Sequence, residues 1–389
     1  MIHFRCTCGN ALFFENTACL QCGAAVGYDP GGNEMRPQGG AWALCRNGTD
    51  FVACNWLVPA GDPAFCAACR LNRTVPDLTV PEALQQWRRM EAAKRRVIYS
   101  LLRLGIAPVD QREDESGLLF DFLAPVDGQP VITGHKEGVI TLNILEADDV
   151  YRERERHALG EPYRTLVGHF RHELGHYYWD RFLGGRDEGD PLLAEFRTLF
   201  GDEREDYAAA LERHYSGGPP APASATHISS YAAAHPWEDW AETWAQYLHV
   251  LDGVETAQSF GWASENIPLP FTPFTPAEVL ANGHGASSVF LKAVGRWVRR
   301  SQAGIELVHG AGSEAEFLDV LNRWARLSPA LNELAASLGH ATFNPFVLSV
   351  TTVRKILFVH KVTSLARKNS AKSRRTRPAA ASRKPAAAT

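Results

Sequence analysis

The chain has 389 residues, a length at which a single core rarely suffices, so two domains are expected, one of them small. Its 45% hydrophobic content, with ten tryptophans and nineteen phenylalanines, excludes a disordered chain. The net charge of −4 hides eight Lys/Arg and no Asp/Glu in residues 367–389, which leaves −12 on the rest, a poor general ligand for nucleic acid.

No apolar run approaches the ~20 residues that span a bilayer, so no membrane attachment is expected. Met1 to Cys6 shows no basic segment leading into an apolar one, and a cytoplasmic setting follows. All eight cysteines fall between residues 6 and 69. In a reducing compartment such a cluster points to metal rather than to disulfides. Cys6-x-Cys8 and Cys19-x-x-Cys22 are each followed by glycine and read as two thiolate-presenting turns. Cys45, Cys54, Cys66 and Cys69 would supply a second set, with Cys66-x-x-Cys69 its clearest knuckle. Four thiolates at ~2.3 Å make a closed tetrahedral site, so one or two structural Zn2+ are expected in a module over residues 1–72, grouped contiguously.

Residues 73–80 read as a linker. A long helix then opens, with Thr79 and Glu82 as a capping-box pair and Pro81 in the first turn. Leu84, Trp87, Val97, Ile98, Leu101 and Leu102 form its apolar stripe, and Gly105 stops it. Strands are predicted over Gly117–Leu123, Pro130–Thr133 and Gly138–Leu145, the last as a sheet edge. From Pro162 the pattern turns helical, and a helix through about Leu183 ends at Gly184-Gly185. It carries His172-Glu173-Leu174-Gly175-His176. Two histidines four apart lie one turn apart on one helix face, within reach of one metal ion, and Glu173 beside them can take a proton from water.

Two imidazoles leave a catalytic zinc site one protein ligand short. The metzincin pattern fails, because Phe182 and Trp179 stand where its histidine and glycine belong. Downstream, a tryptophan-rich helix from Pro236 carries Trp240, Trp244, Leu248 and Leu251 on one stripe. Glu238 and Glu242 sit one turn apart on it. Two acids on one face beside buried aromatics are costly unless something positive lies opposite. Glu238 is therefore expected as the third ligand, with Glu242 orienting one of the zinc histidines. His169 and His235 are expected in supporting or helix-entry roles. Ser328-Pro329 should open a last helix through Leu338-Gly339, and residues 367–389 read as a basic, disordered tail. Strands followed mostly by helices give an α+β class for residues 73–366.

His172–His176 followed by a Glu-x-x-Ala-Glu helix resembles the gluzincin class of zinc peptidases, in which the first glutamate ligates and the second orients a zinc histidine. Ser230-Tyr231 stands seven residues before Glu238, a spacing that resembles the lethal-factor peptidases and implies that Tyr231 stabilises the oxyanion. Across nearly its whole length the chain resembles a bacterial family of zinc-binding metallopeptidases with an N-terminal zinc ribbon. The resemblance is carried by Cys6-x-Cys8-Gly9, Cys19-x-x-Cys22, the Gly168-to-Asp180 run and His235-Pro236-Trp237-Glu238-Asp239-Trp240-Ala241-Glu242. It implies a largely helical, zincin-like metallopeptidase domain with one catalytic zinc, Glu173 as general base, and a protein or peptide substrate. Two rival readings are a zinc protease recruited to nucleic acid through the basic tail, and a non-catalytic scaffold that zinc merely stabilises.

Overall fold

Tight turns punctuate the first sixty residues, and the structure folds them as three antiparallel hairpins. These are β1 (Phe4–Arg5) with β2 (Ala11–Leu12), β3 (Val26–Asp29) with β4 (Glu34–Pro37), and β5 (Trp42–Leu44) with β6 (Leu57–Pro59). A short helix, α1 (Arg46–Phe51), interrupts the third hairpin, with Cys45 at its N-cap. The structure is a computed structural model and describes residues 1–61, 64–126, 129–159, 164–216, 225–280, 313–346 and 348–376.

The expected linker is in part a strand. β7 (Asn72–Thr74) pairs in parallel with β8 (Leu119–Leu123), and α2 (Pro81–Leu104) makes the crossover that parallel pairing requires. Arg73 Nε donates to Asp121 Oδ1 at 2.9 Å across that pair. The predicted capping box at the start of α2 does not form, because the Thr79 hydroxyl and N–H both donate to Asp77 Oδ1, at 2.6 and 2.9 Å. Gly105, at φ 73°, ends α2 as expected.

Next come β9 (Gly134–Lys136) and β10 (Val139–Asn143), giving a four-stranded sheet in the order β7-β8-β10-β9. Two strand expectations are corrected. The segment at 130–133 is irregular and pairing begins at Gly134, since an alternation this short leaves its boundary poorly specified. β10 is not an edge, because it is parallel to β8 on one side and antiparallel to β9 on the other, which leaves β9 outermost.

The helices follow: α3 (Asp149–Leu159), α4 (Leu166–Phe182), α5 (Pro191–Phe200), α6 (Tyr207–Ser216), α7 (Pro236–Ser259), α8 (Pro276–Leu280), α9 (Glu314–Ser337) and α10 (Val350–Thr376). Pro162, where the helical pattern was expected to begin, lies outside the described residues. Thr165 caps α4 by accepting the Gly168 N–H at 3.0 Å. Ser328-Pro329 opens no helix. α9 starts earlier, at a Ser313/Glu316 capping box, and runs through Pro329. That proline sits on the exposed face, where a missing backbone bond is open to solvent while Trp324, Leu327 and Ala335 stay buried. α10 continues to Thr376, so residues 367–376 of the expected tail are helical; the remainder lies outside the described residues.

The mixed helix-and-sheet class stands as expected. Phe120 and Phe122 of β8 lie 5.8 and 6.2 Å from the Phe170 ring, which seats α4 on the sheet. The cysteine-rich module shares this core: Phe14 and Tyr28 pack on Tyr99 of α2, at 5.2 and 5.8 Å. On the far side of α7, His360 of α10 stacks on Phe317 at 4.4 Å. No helix among the described residues is long and apolar enough to cross a membrane.

Burial, with Arg367 nearby, pushes His360 down to about 3. Below the ordinary histidine value the unfolded chain gains a proton that the folded chain refuses, so this residue costs stability as pH falls from about 6.5. We expect His360→Gln to flatten the loss of stability between pH 6 and pH 4 by about 1.4 kcal/mol per pH unit. Denaturant midpoints across that range measure it, and parallel wild-type and variant slopes would refute it.

Candidate active site

Two helices build the site. α4 presents His172, Glu173 and His176, and the first two turns of α7 present Glu238 and Glu242. Their separation is set at Gly175, where an added Cβ would stand 2.8 Å from the Ala241 Cα; only glycine permits this approach. Trp240 Nε1 donates to the Gly175 carbonyl at 2.8 Å and fixes the register of the two helices. α7 is itself started by Pro236 and by His235, whose ring accepts the Trp237 N–H at 3.0 Å. His235 is thus a helix-entry residue.

The ligand atoms of His172, His176 and Glu238 lie within 4.8 Å of one another. The two Nε2 atoms are 3.2 Å apart, and Glu238 stands 3.0 Å from His172 and 3.5 Å from His176. Tetrahedral zinc with bonds of ~2.0–2.1 Å needs ligand atoms ~3.3 Å apart, so this triangle fits the ion and leaves a fourth position free. Glu238 Oε2 is buried without a hydrogen-bond partner among the described residues, as a metal-facing oxygen would be. On the other side of the ring, His172 Nδ1 donates to Glu242 Oε1 at 2.8 Å, and Ser229 Oγ donates to Glu242 Oε2 at 2.7 Å. Glu242 thus stands where a carboxylate behind a metal-binding histidine would stand.

Electrostatics follow from this packing. Burial opposes charge on both His172 and Glu238, but their mutual contacts win, raising His172 well above and lowering Glu238 well below the ordinary values. Burial would likewise raise Glu173, but His169 and the two site histidines lower it instead, so its carboxylate is ionised. His169 shows the same balance: burial lowers it, Glu146 and Glu173 outweigh that, and it rises to about 9. Tyr231 lies 5.9 Å from His172 ring to ring, and burial together with Glu238 keeps its hydroxyl protonated. His169, His172, Glu173, Tyr231 and Glu242 open onto a cleft of about 360 Å³, also lined by Val131–Thr133, Tyr151, Arg164, Gln246, His249 and Phe346.

The cysteines form two contiguous sets, Cys6/Cys8/Cys19/Cys22 and Cys45/Cys54/Cys66/Cys69. Within them Cys6–Cys22, Cys8–Cys19 and Cys54–Cys66 each stand 3.7 Å apart, too far for disulfides and close to the ~3.8 Å edge of a tetrahedron with ~2.3 Å zinc–sulfur bonds. The first set leaves Cys8 and Cys22 exposed, whereas the second is wholly buried.

Sequence reasoning missed Tyr207 of α6, which donates to Glu238 Oε1 at 2.6 Å. No spacing links it to α7; only the fold brings it there. It also left out Ser229, although the neighbouring Ser230-Tyr231 had been singled out. We expect Tyr207→Phe to weaken metal binding at the histidine site by about 10–100-fold without changing the cysteine sites. Chelator competition with the metal count per chain measures this, and unchanged retention at the histidine site would count against it.

Residues 83–362 match the family described as "Putative zinc-binding metallo-peptidase", and residues 3–80 match a zinc-ribbon domain family. Uncharacterized proteins of Mycobacterium tuberculosis and Mycobacterium bovis are each 38% identical over 368 residues, covering 93% of this chain and 95% of theirs. No solved structure matches. With the histidine–glutamate triangle on its two central helices and the cysteine sets ahead of them, the chain belongs to this family of zinc-binding metallopeptidases that carry an N-terminal zinc ribbon.

Proposed function

We propose that the chain is a gluzincin-type peptidase that hydrolyses peptide bonds, with one catalytic zinc on His172, His176 and Glu238 and two structural zincs on the cysteine sets. The observation that carries this is the ligand triangle, whose His172 lines the same cleft as an ionised Glu173. Zinc there would supply Lewis acidity, lowering the pKa of a water toward ~7 and polarising a carbonyl. Glu173 takes the proton of the attacking water and returns it to the leaving amine. Its Oε2, buried and without a partner among the described residues, is the oxygen available for that exchange. Tyr231, kept protonated, donates to the developing oxyanion, a contribution of about 3 kcal/mol for one such donor. An extended substrate would add to the outermost strand β9 and run past Val131–Thr133 on the cleft rim. Eight cysteines with no disulfide among them suit a reducing cytoplasm.

An intact base argues against a purely structural metal site, which has no use for Glu173. The decisive measurement is metal content together with proteome-wide cleavage. Glu173→Gln should keep three zincs per chain and lose cleavage by at least a hundredfold. Cleavage unchanged in that variant would overturn the reading. Glu238→Ala should lose one zinc and leave the cysteine sites filled; retention of all three would remove Glu238 from the ligand set.

A further inference from the structure

The zinc chemistry leaves one buried cluster on the cleft wall without a role. His169 stands one turn before Glu173 on α4, with its Nε2 3.4 Å from Glu173 Oε1. Its other nitrogen, Nδ1, faces Glu146 Oε2 at 3.6 Å. Glu146 is 3% exposed and takes a hydrogen bond on Oε1 from Arg164 Nη2 at 2.6 Å. It is also carried by a rigid 3-10 turn, Ile144–Ala147, directly after β10, whose backbone carbonyl at Glu146 receives Arg152 Nη1 at 2.7 Å. All four groups line the cleft. Arg164, Glu146, His169 and Glu173 thus follow one another along the wall, and the row ends on Glu173, which lines the cleft with His172.

We propose that His169, anchored from behind by Glu146 and Arg164, is the positioning residue for the Glu173 carboxylate. A glutamate side chain has three rotatable bonds, and a base that must meet water on one side and a leaving amine on the other needs a fixed direction. Contact with His169 occupies Oε1 and leaves Oε2 as the working oxygen. His169 does not touch the ligand triangle in this role; it acts through Glu173. An ordinary ion pair would explain His169 and Glu146, but not why the row is held by a carboxylate on a separate turn after β10 and finishes at the base.

This inference rests on the zinc-peptidase reading, and the test separates the two. Acetohydroxamate is a small chelating probe whose hydroxyl lies against a carboxylate beside the metal, so its affinity for the zinc-loaded full chain reports where Glu173 points. Wild type, Glu173→Gln, His169→Leu and His169→Gln are compared by titration calorimetry, with zinc content measured on each. The expected result is full zinc content throughout, binding about tenfold weaker in Glu173→Gln and in His169→Leu, and recovery in His169→Gln, whose amide can still donate. Equal affinity of His169→Leu and wild type, or no recovery in His169→Gln, overturns the inference while leaving the peptidase reading intact. Loss of zinc in His169→Leu also overturns it, by making the residue a metal holder. Absence of binding to the wild type overturns both. Should His169→Leu fail to fold, Glu146→Gln removes the anchor from outside α4 and must show the same weakening, or the inference falls.

Discussion

Everything at the site depends on how closely two helices approach. Gly175 lets α4 and α7 meet backbone to backbone at Ala241, and the Trp240 indole locks them there with one bond to a carbonyl. His172 and His176, three residues before and one after Gly175, then face Glu238 and Glu242, three before and one after Ala241. The metal-binding geometry is thus a property of helix packing more than of any loop, and packed helices hold side chains more tightly than loops do. A methyl group at residue 175 would push the helices apart and separate His176 from Glu238 before it touched either residue.

α7 carries this geometry outward. Its first turns hold Glu238 and Glu242, while its last turns meet the cysteine-rich module and α2. The His3 N–H and ring both bond Ser259 Oγ at 2.8 Å, Ser100 donates to Asp252 at 2.6 Å, and the Met1 amino group pairs with the buried Glu255 at 3.1 Å. Arg171, one residue before the first site histidine, reaches back to the same Asp252. A single rigid rod therefore touches both the ribbon and the centre. Deeper still, Lys355 of α10 pairs with Asp239, beside Glu238, and donates to the Thr226 carbonyl at 2.7 Å, which steadies the start of α7.

Much of this was legible in the amino-acid order, where local chemistry and spacing coincide. Cysteine pairs two and three apart announced their turns, the four-residue histidine spacing announced a helix face, and the tryptophan stripe from Pro236 announced a buried helix with two acids at its head. What failed were boundaries decided elsewhere. Asp77 captured the Thr79 hydroxyl that a capping box needed. Pro329 looked like a helix start, but buried neighbours carry the helix straight through it. A strand was placed at 130–133 instead of 134–136, since a three-residue strand is specified by its partner β10 rather than by its own pattern. Tyr207 and Glu146 were invisible for a plainer reason: contacts between residues that far apart in the chain leave no periodic trace.

The pairing of β7 with β8 gives the N-terminal module a role that its ribbon character hides. β7 follows Cys69 by only three residues and lies within the stretch that matches a zinc ribbon, yet it completes the sheet on which α4 rests. The line between the two matched families thus runs through a hydrogen-bonded ladder. A peptidase fragment begun after that line would leave β8 as a bare edge, rich in phenylalanine and open to pairing with another copy. Inheritance of the two parts as one unit is the arrangement that keeps that edge covered.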